Sequence, residues 1–177
     1  MCDTRATMTV FVALLRAVNV GGTGKLPMSD LKAMCEKLGF TKVQTYISSG
    51  NVLFESRKSE ASVKAALETA LQKYAGKPAG VLVRTPAELA KVVEGNPFPK
   101  KPTNWTVAIF LDEPPPKDTL STLRGVNGEE VQLGKREIYV HYGSGMARTK
   151  LKIPAGVAGT ARNMNTIAKL AELGAKL

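Results

Sequence analysis

Residues 8–15, Met-Thr-Val-Phe-Val-Ala-Leu-Leu, form a near-continuous apolar run close to the start of the chain. Eight such residues are too few for a membrane span and lack the polar alternation of a strand with one wet face. They suit a strand buried on both faces at the centre of a sheet. Everything that follows must cover that strand. Met28, Leu31, Met34, Cys35 and Leu38 recur at helical spacing, with Gly39 as a suitable stop. Val43–Ile47 and Asn51–Phe54 read as strands joined through Ser48-Ser49-Gly50, turn chemistry that makes the pair a hairpin. Val63, Ala66, Leu67, Ala70, Leu71 and Tyr74 mark a second helix, and Gly80–Arg84 a further strand. The first 84 residues thus have the order β-α-β-β-α-β of a ferredoxin-like unit, an α+β arrangement with an antiparallel sheet and both helices packed on one face.

Thr85-Pro86-Ala87-Glu88 is a helix start, with threonine as N-cap, proline at N1 and glutamate completing a capping box. That helix stops at Gly95, and the proline-rich stretch 96–102 reads as a connector. Beyond it come a strand over Trp105–Leu111 and a helix beginning at Pro114-Pro115-Pro116. A hairpin with arms at Val131–Leu133 and Ile138–Tyr142 turns at Gly134-Lys135-Arg136, and a terminal helix carries Ile167, Leu170 and Leu173. This is β-α-β-β once more, a second and incomplete copy of the first unit. The expected organisation is therefore an N-terminal subdomain over 1–95, with 1–7 as a disordered leader, the connector 96–102, and a second α+β subdomain over 103–177.

The chain has 177 residues and a net charge of +10. Residues 1–78 hold 11 basic and 6 acidic side chains, a balance of +5; residues 79–130 hold 6 and 7, or −1; residues 131–177 hold 8 and 2, or +6. Basic ends around a neutral middle favour anionic partners, small or polymeric. Two cysteines and one histidine cannot build a zinc site or a disulfide framework. No metal and no cofactor are expected. No stretch reaches the ~18 apolar residues of a membrane helix, the start lacks a signal-peptide core, and the expected location is cytoplasmic.

Polar residues that packing does not require fall in three places. Arg16 and Asn19 follow the apolar strand, where α/β proteins often place ligand-binding groups, and Lys25 closes the glycine-rich loop after them. That loop matches neither the dinucleotide fingerprint, since Pro27 stands where a third glycine belongs, nor the P-loop spacing. Ser49 and Asn51 flank the first hairpin turn, without a nearby histidine to activate a serine. Thr160-Ala161-Arg162-Asn163-Met164-Asn165-Thr166 reads as the start of the last helix, with Thr160 as its cap and Arg162, Asn163 and Asn165 in the first turn. Arginine there opposes the helix dipole and asparagine is a weak helix former, so the cluster works against local stability, as functional sites do. His141, alone on a strand, reads as a surface or hydrogen-bonded residue without a catalytic role.

Leu15-Arg16-Ala17-Val18-Asn19-Val20-Gly21-Gly22, Lys25-Leu26-Pro27-Met28, Tyr46-Ile47-Ser48-Ser49-Gly50-Asn51-Val52, Asn96-Pro97-Phe98, Arg148-Thr149-Lys150-Leu151 and the Thr160–Thr166 segment resemble, in order, the blocks of the bacterial domain-of-unknown-function family 1697 (DUF1697). Ala17, Ser48 and Met164 depart from that pattern, where glycine, glutamine and tryptophan are usual; the last removes an aromatic that could stack on a ligand. The resemblance implies a tandem ferredoxin-like fold and no particular activity. The leading functional reading is binding of a small phosphorylated or otherwise anionic ligand through Arg16, Asn19, Lys25, Ser49, Asn51, Arg162, Asn163 and Asn165. RNA binding on a sheet, a small-molecule hydrolase or transferase, and a protein interaction module are the alternatives.

Overall fold

In the computed structural model the described residues are 7–16, 26–47, 50–76, 78–143, 146 and 149–177. They form a mixed α/β protein with two four-stranded antiparallel sheets and four α-helices. The chain divides into two compact units, Met1–Glu88 with Leu170–Leu177, and Leu89–Lys169.

The first unit contains β1 (Thr9–Leu15), α1 (Met28–Lys37), β2 (Thr41–Tyr46), β3 (Asn51–Ser56), α2 (Glu60–Ala75) and β4 (Val81–Arg84). Its sheet order is β2-β3-β1-β4, so the apolar run is an inner strand, with Phe11 opposite Phe54 and Leu14 opposite both Asn51 and Leu82. Alternate residues Phe11, Ala13 and Leu15 join Val52, Phe54, Val81 and Val83 against Leu31 and Cys35 of α1 and Val63, Leu67 and Leu71 of α2. The intervening Val12 and Leu14 are fully buried as well, which is why the run shows no polar alternation. Helix α1 ends as expected, with Gly39 in the left-handed region at φ 89°. Helix α2 starts at Ser59, whose side chain accepts from Ser62 N, and stops at left-handed Gly76.

Cys35 is buried in this core, and burial, with a smaller contribution from the Glu36 charge, pushes its thiol up to about 12. At pH 8 the thiolate fraction is then on the order of 10⁻⁴, far too little for alkylation. Iodoacetamide should leave Cys35 unlabelled in the native protein and label it fully in denaturant, with peptide mapping to separate it from Cys2. Native labelling would mean that the α1 side of the core opens.

In both directions from the unit boundary runs α3 (Pro86–Glu94), whose capping box is formed as the sequence implies: Thr85 N donates to Glu88 Oε1 at 2.9 Å, and Glu88 N donates to Thr85 Oγ1 at 3.2 Å. The second unit holds β5 (Thr106–Phe110), β6 (Glu130–Leu133), β7 (Glu137–His141), β8 (Thr160–Asn163) and the first half of α4 (Met164–Ala175), with sheet order β6-β7-β5-β8. Strand for strand this repeats the order of the first sheet. The connections differ. A helix expected from Pro114–Pro116 is absent, replaced by a 3-10 turn at Thr119–Thr122. Three successive prolines supply no N–H donors and push the residues before them towards extended backbone. Among the described residues the β7–β8 connection likewise holds only a 3-10 turn, Pro154–Gly156. The expectation of helices packed on one face therefore fits α1 and α2 of the first unit and not the connections of the second.

A further correction concerns Thr160. It does not cap the last helix; Thr160–Asn163 pair with β5, Ala108 opposite Arg162 and Val107 opposite Asn163, and α4 begins only at Met164. The ladder to β5 satisfies backbone groups that a helix start would leave open, so tertiary pairing outweighs the local capping signal.

Candidate functional site

The candidate residues fall into two groups, one in each unit. At one end of the first sheet, the C-terminus of β1 lies beside the N-termini of β3 and β4. Leu15 N donates to Gly50 O at 2.8 Å, and Arg16 N to Gly80 O at 2.9 Å. Arg16 is exposed, and its stem lies over Gly80, where a Cβ would sit 3.5 Å from Arg16 Cδ. Asn51 is fully buried and its Nδ2 donates to Tyr46 O at 3.0 Å. That bond closes the hairpin across the Tyr46–Asn51 pair, so Asn51 braces the turn. Ile47, next to the turn, is half-exposed at φ 52°, a costly conformation for a β-branched residue. Asn19, Lys25 and Ser49 lie outside the described residues.

The second group sits where β8 passes into α4. Asn163 caps the helix, its Oδ1 accepting from Thr166 N at 2.9 Å. Asn165 is exposed, its Oδ1 accepting from Thr103 Oγ1 at 2.7 Å. Arg162 is 8% exposed; its Nη1 donates to Thr160 Oγ1 at 2.8 Å and to Ala161 O at 2.9 Å. Burial lowers its pKa to about 10, which still leaves the guanidinium charged at neutral pH. A buried cation thus stands one residue before a helix cap, where the helix dipole also disfavours positive charge. Met164, in the place of the usual aromatic, is buried.

The sequence motifs pass over Arg84, yet the first unit places it in the matching position. It ends β4 as Arg162 nears the end of β8, it is 1% exposed, and its Nη1 donates to the preceding carbonyl, Val83 O, at 3.0 Å. Each arginine is followed by the cap of a helix, Thr85 or Asn163. The two share an order of strand, arginine, capping residue and helix.

His141 is a brace. It is buried, paired with Thr106 on one side and Glu130 on the other, and its Nδ1 lies 3.0 Å from Thr106 Oγ1. That hydroxyl donates to Pro102 O at 3.0 Å, so it accepts from the ring, which assigns the proton to Nδ1. Phe98 packs against the same ring at a centroid distance of 6.1 Å, positioned by the bond from its N to Asn96 Oδ1. The Asn96-Pro97-Phe98 block is thereby explained by packing.

A family model described as "Protein of unknown function (DUF1697)" matches residues 8–139. The chain belongs to the DUF1697 family. Among solved structures, that of the conserved bacterial protein SP0830 from Streptococcus pneumoniae is similar, with a TM-score of 0.78 at 26% identity, covering 94% of this chain and 99% of that one. No curated protein matches the chain. Among the described residues no helix is long and apolar enough to cross a membrane, and no group of three His, Cys, Asp or Glu side chains could hold a metal ion. Family membership brings the fold with it and attaches no reaction.

Proposed function

We propose that this DUF1697 protein binds a small phosphorylated or otherwise anionic ligand in the cytoplasm, with Arg162 at the β8–α4 junction as the principal contact. The observation that carries this reading is Arg162 itself. It places a guanidinium at a strand-to-helix junction, and a helix start is a place where a bound anion is stabilised. Asn163 and Asn165 stand beside it, and Arg16, Asn19, Lys25 and Ser49 form a separate polar set in the first unit, next to the hairpin that Asn51 braces. The recurrence of the arrangement at Arg84 supports a reading of the two units as tandem ferredoxin-like copies, the second having lost its crossover helices. Weighing against RNA recognition, Phe11, Phe54, Phe110 and Tyr139 on the strands are buried and present no stacking platform.

The test is a thermal-shift series with inorganic phosphate, nucleotides, phosphorylated sugars and a short single-stranded RNA, at low and physiological salt. A ligand at ~100 times its Kd should add about 2.7 kcal/mol. Arg162→Met, which removes the charge and keeps comparable apolar bulk, should abolish that shift while leaving the unliganded melting temperature near or above that of the wild type. A phosphorylated compound that stabilises wild type and variant equally would overturn the assignment. Stabilisation by RNA alone, lost at physiological salt, would reduce the positive charge to a generic surface.

A further inference from the structure

The first unit carries a second feature, separate from the arginines. A groove of about 920 Å³ runs along the outer side of α1 and α2. On the α1 side it is lined by Asp30, Ala33, Met34, Lys37 and Leu38, and on α2 by a matching stripe that includes Ala66, Ala70, Lys73 and Tyr74, so the two stripes together carry one aspartate and two lysines. Spacings of three and four make each set a single helical face. Tyr74 Oη donates to Asp30 Oδ2 at 2.8 Å, which ties the last turn of α2 to the first turn of α1 and shows the helices to be antiparallel. Ala33 is exposed and Ala66 and Ala70 are only half-buried, so small apolar side chains floor a surface that water covers. Alanine at a helix contact lets backbones approach to about 8 Å.

The charges select the occupant. Asp30 and Lys37 stand seven residues apart on one stripe, two turns or about 10.5 Å, with Ala33 and Met34 midway between them. A two-fold axis crossing α1 at that midpoint sets Asp30 of one copy opposite Lys37 of the other, and Lys37 opposite Asp30, while Ala33 meets Met34. An axis parallel to the helices would instead set lysine against lysine. We propose that the α1–α2 face is a homodimer interface in which two copies pack antiparallel through this self-complementary stripe. With α1 about 15 Å long, α2 about 24 Å, and each about 10 Å wide, the face offers roughly 400 Å² per copy. The pair buries less than the 1,200–2,000 Å² (order of magnitude) of a stable complex, so the dimer is a weak one.

Sedimentation velocity of the full chain from about 5 µM to 1 mM decides it, because exchange across that range shows as a rising weight-average coefficient. Asp30→Lys and Lys37→Asp should each weaken association by about tenfold or more, since each turns two attractive pairs repulsive. The double variant Asp30→Lys with Lys37→Asp restores both pairs and should return association to within about threefold of wild type. Ala33→Trp, filling the point of closest approach, should abolish it. The proposal is overturned if the wild type is monomeric through the whole range. It is equally overturned if it dimerises without response to the single reversals, or if the double variant associates no better than either single. The wild-type series is decisive by itself should any variant fail to fold.

Discussion

Replacing Phe54 by alanine is expected to destabilise the protein by about 4 kcal/mol, the middle of the range for truncating a buried aromatic. Phe54 is fully buried in β3, stacked on Phe40 with ring centroids 4.3 Å apart and planes 7° from parallel, and tilted against Phe11 at 6.2 Å. Its ring therefore joins the segment before the hairpin, the hairpin itself and β1, with Leu67 and Val63 of α2 in the same core. No single neighbour can fill the volume it leaves, because Phe11 is held in β1, whose register cannot slip without turning side chains to the other face, and Phe40 is buried directly before β2. For a chain of this size the melting temperature should fall by about 8–16 °C. Phe54→Leu should cost less than about 1.5 kcal/mol, since it keeps most of the volume. Urea unfolding of both variants checks this. A loss under about 1 kcal/mol for the alanine variant would mean that the first unit repacks freely and that the aromatic stack is not what orders it.

Much of that unit is legible in the sequence because its signals are local. The run at 8–15 suits an inner strand, Gly39 stops a helix because glycine alone adopts φ near +80° without strain, and Thr85 with Glu88 forms a cap within four residues. Thr160–Asn163 illustrates the opposite case. Threonine followed by Ala-Arg-Asn fits a helix start as well as a strand, and only the distant partner β5 decides between them. The crossover at Pro114–Pro116 fails for a different reason: proline at a helix start is favourable once, whereas in a row of three each later proline pushes the one before it towards extended backbone. The candidate site divides along the same line. That Asn163 would bond local backbone is readable from its residue type; that Asn51 would be wholly buried and spent on Tyr46 is not, because burial is set by β1 and β2 lying on either side of it. Arg84 shares the strand–arginine–cap pattern of Arg162, and only the burial of both makes the pattern noticeable.

The second large effect is expected at Gly159, where alanine should cost about 3 kcal/mol. A Cβ there would overlap Phe110 O and fall 2.8 Å from Leu111 Cδ2 and 2.9 Å from Ile109 Cγ2. The first obstacle is backbone, which a rotamer change cannot move. Gly159 immediately precedes β8, whose first residue Thr160 pairs with Phe110, so the close approach is what admits the edge strand to its ladder. Relief of the overlap must push the entry of β8 away from β5 and loosen the Thr160 hydroxyl that holds the Arg162 guanidinium. Two readouts should therefore fall together: the melting temperature, by about 6–12 °C, and the anion-dependent shift that Arg162 supports. Arg162→Met separates them, losing the shift while keeping the fold. If Gly159→Ala is as unstable as expected yet responds to the anion with the same increment as the wild type, ligand binding does not depend on the seating of β8. The contact proposed for Arg162 would then have to lie elsewhere in the chain, with the first-unit arginines Arg16 and Arg84 the next to be substituted.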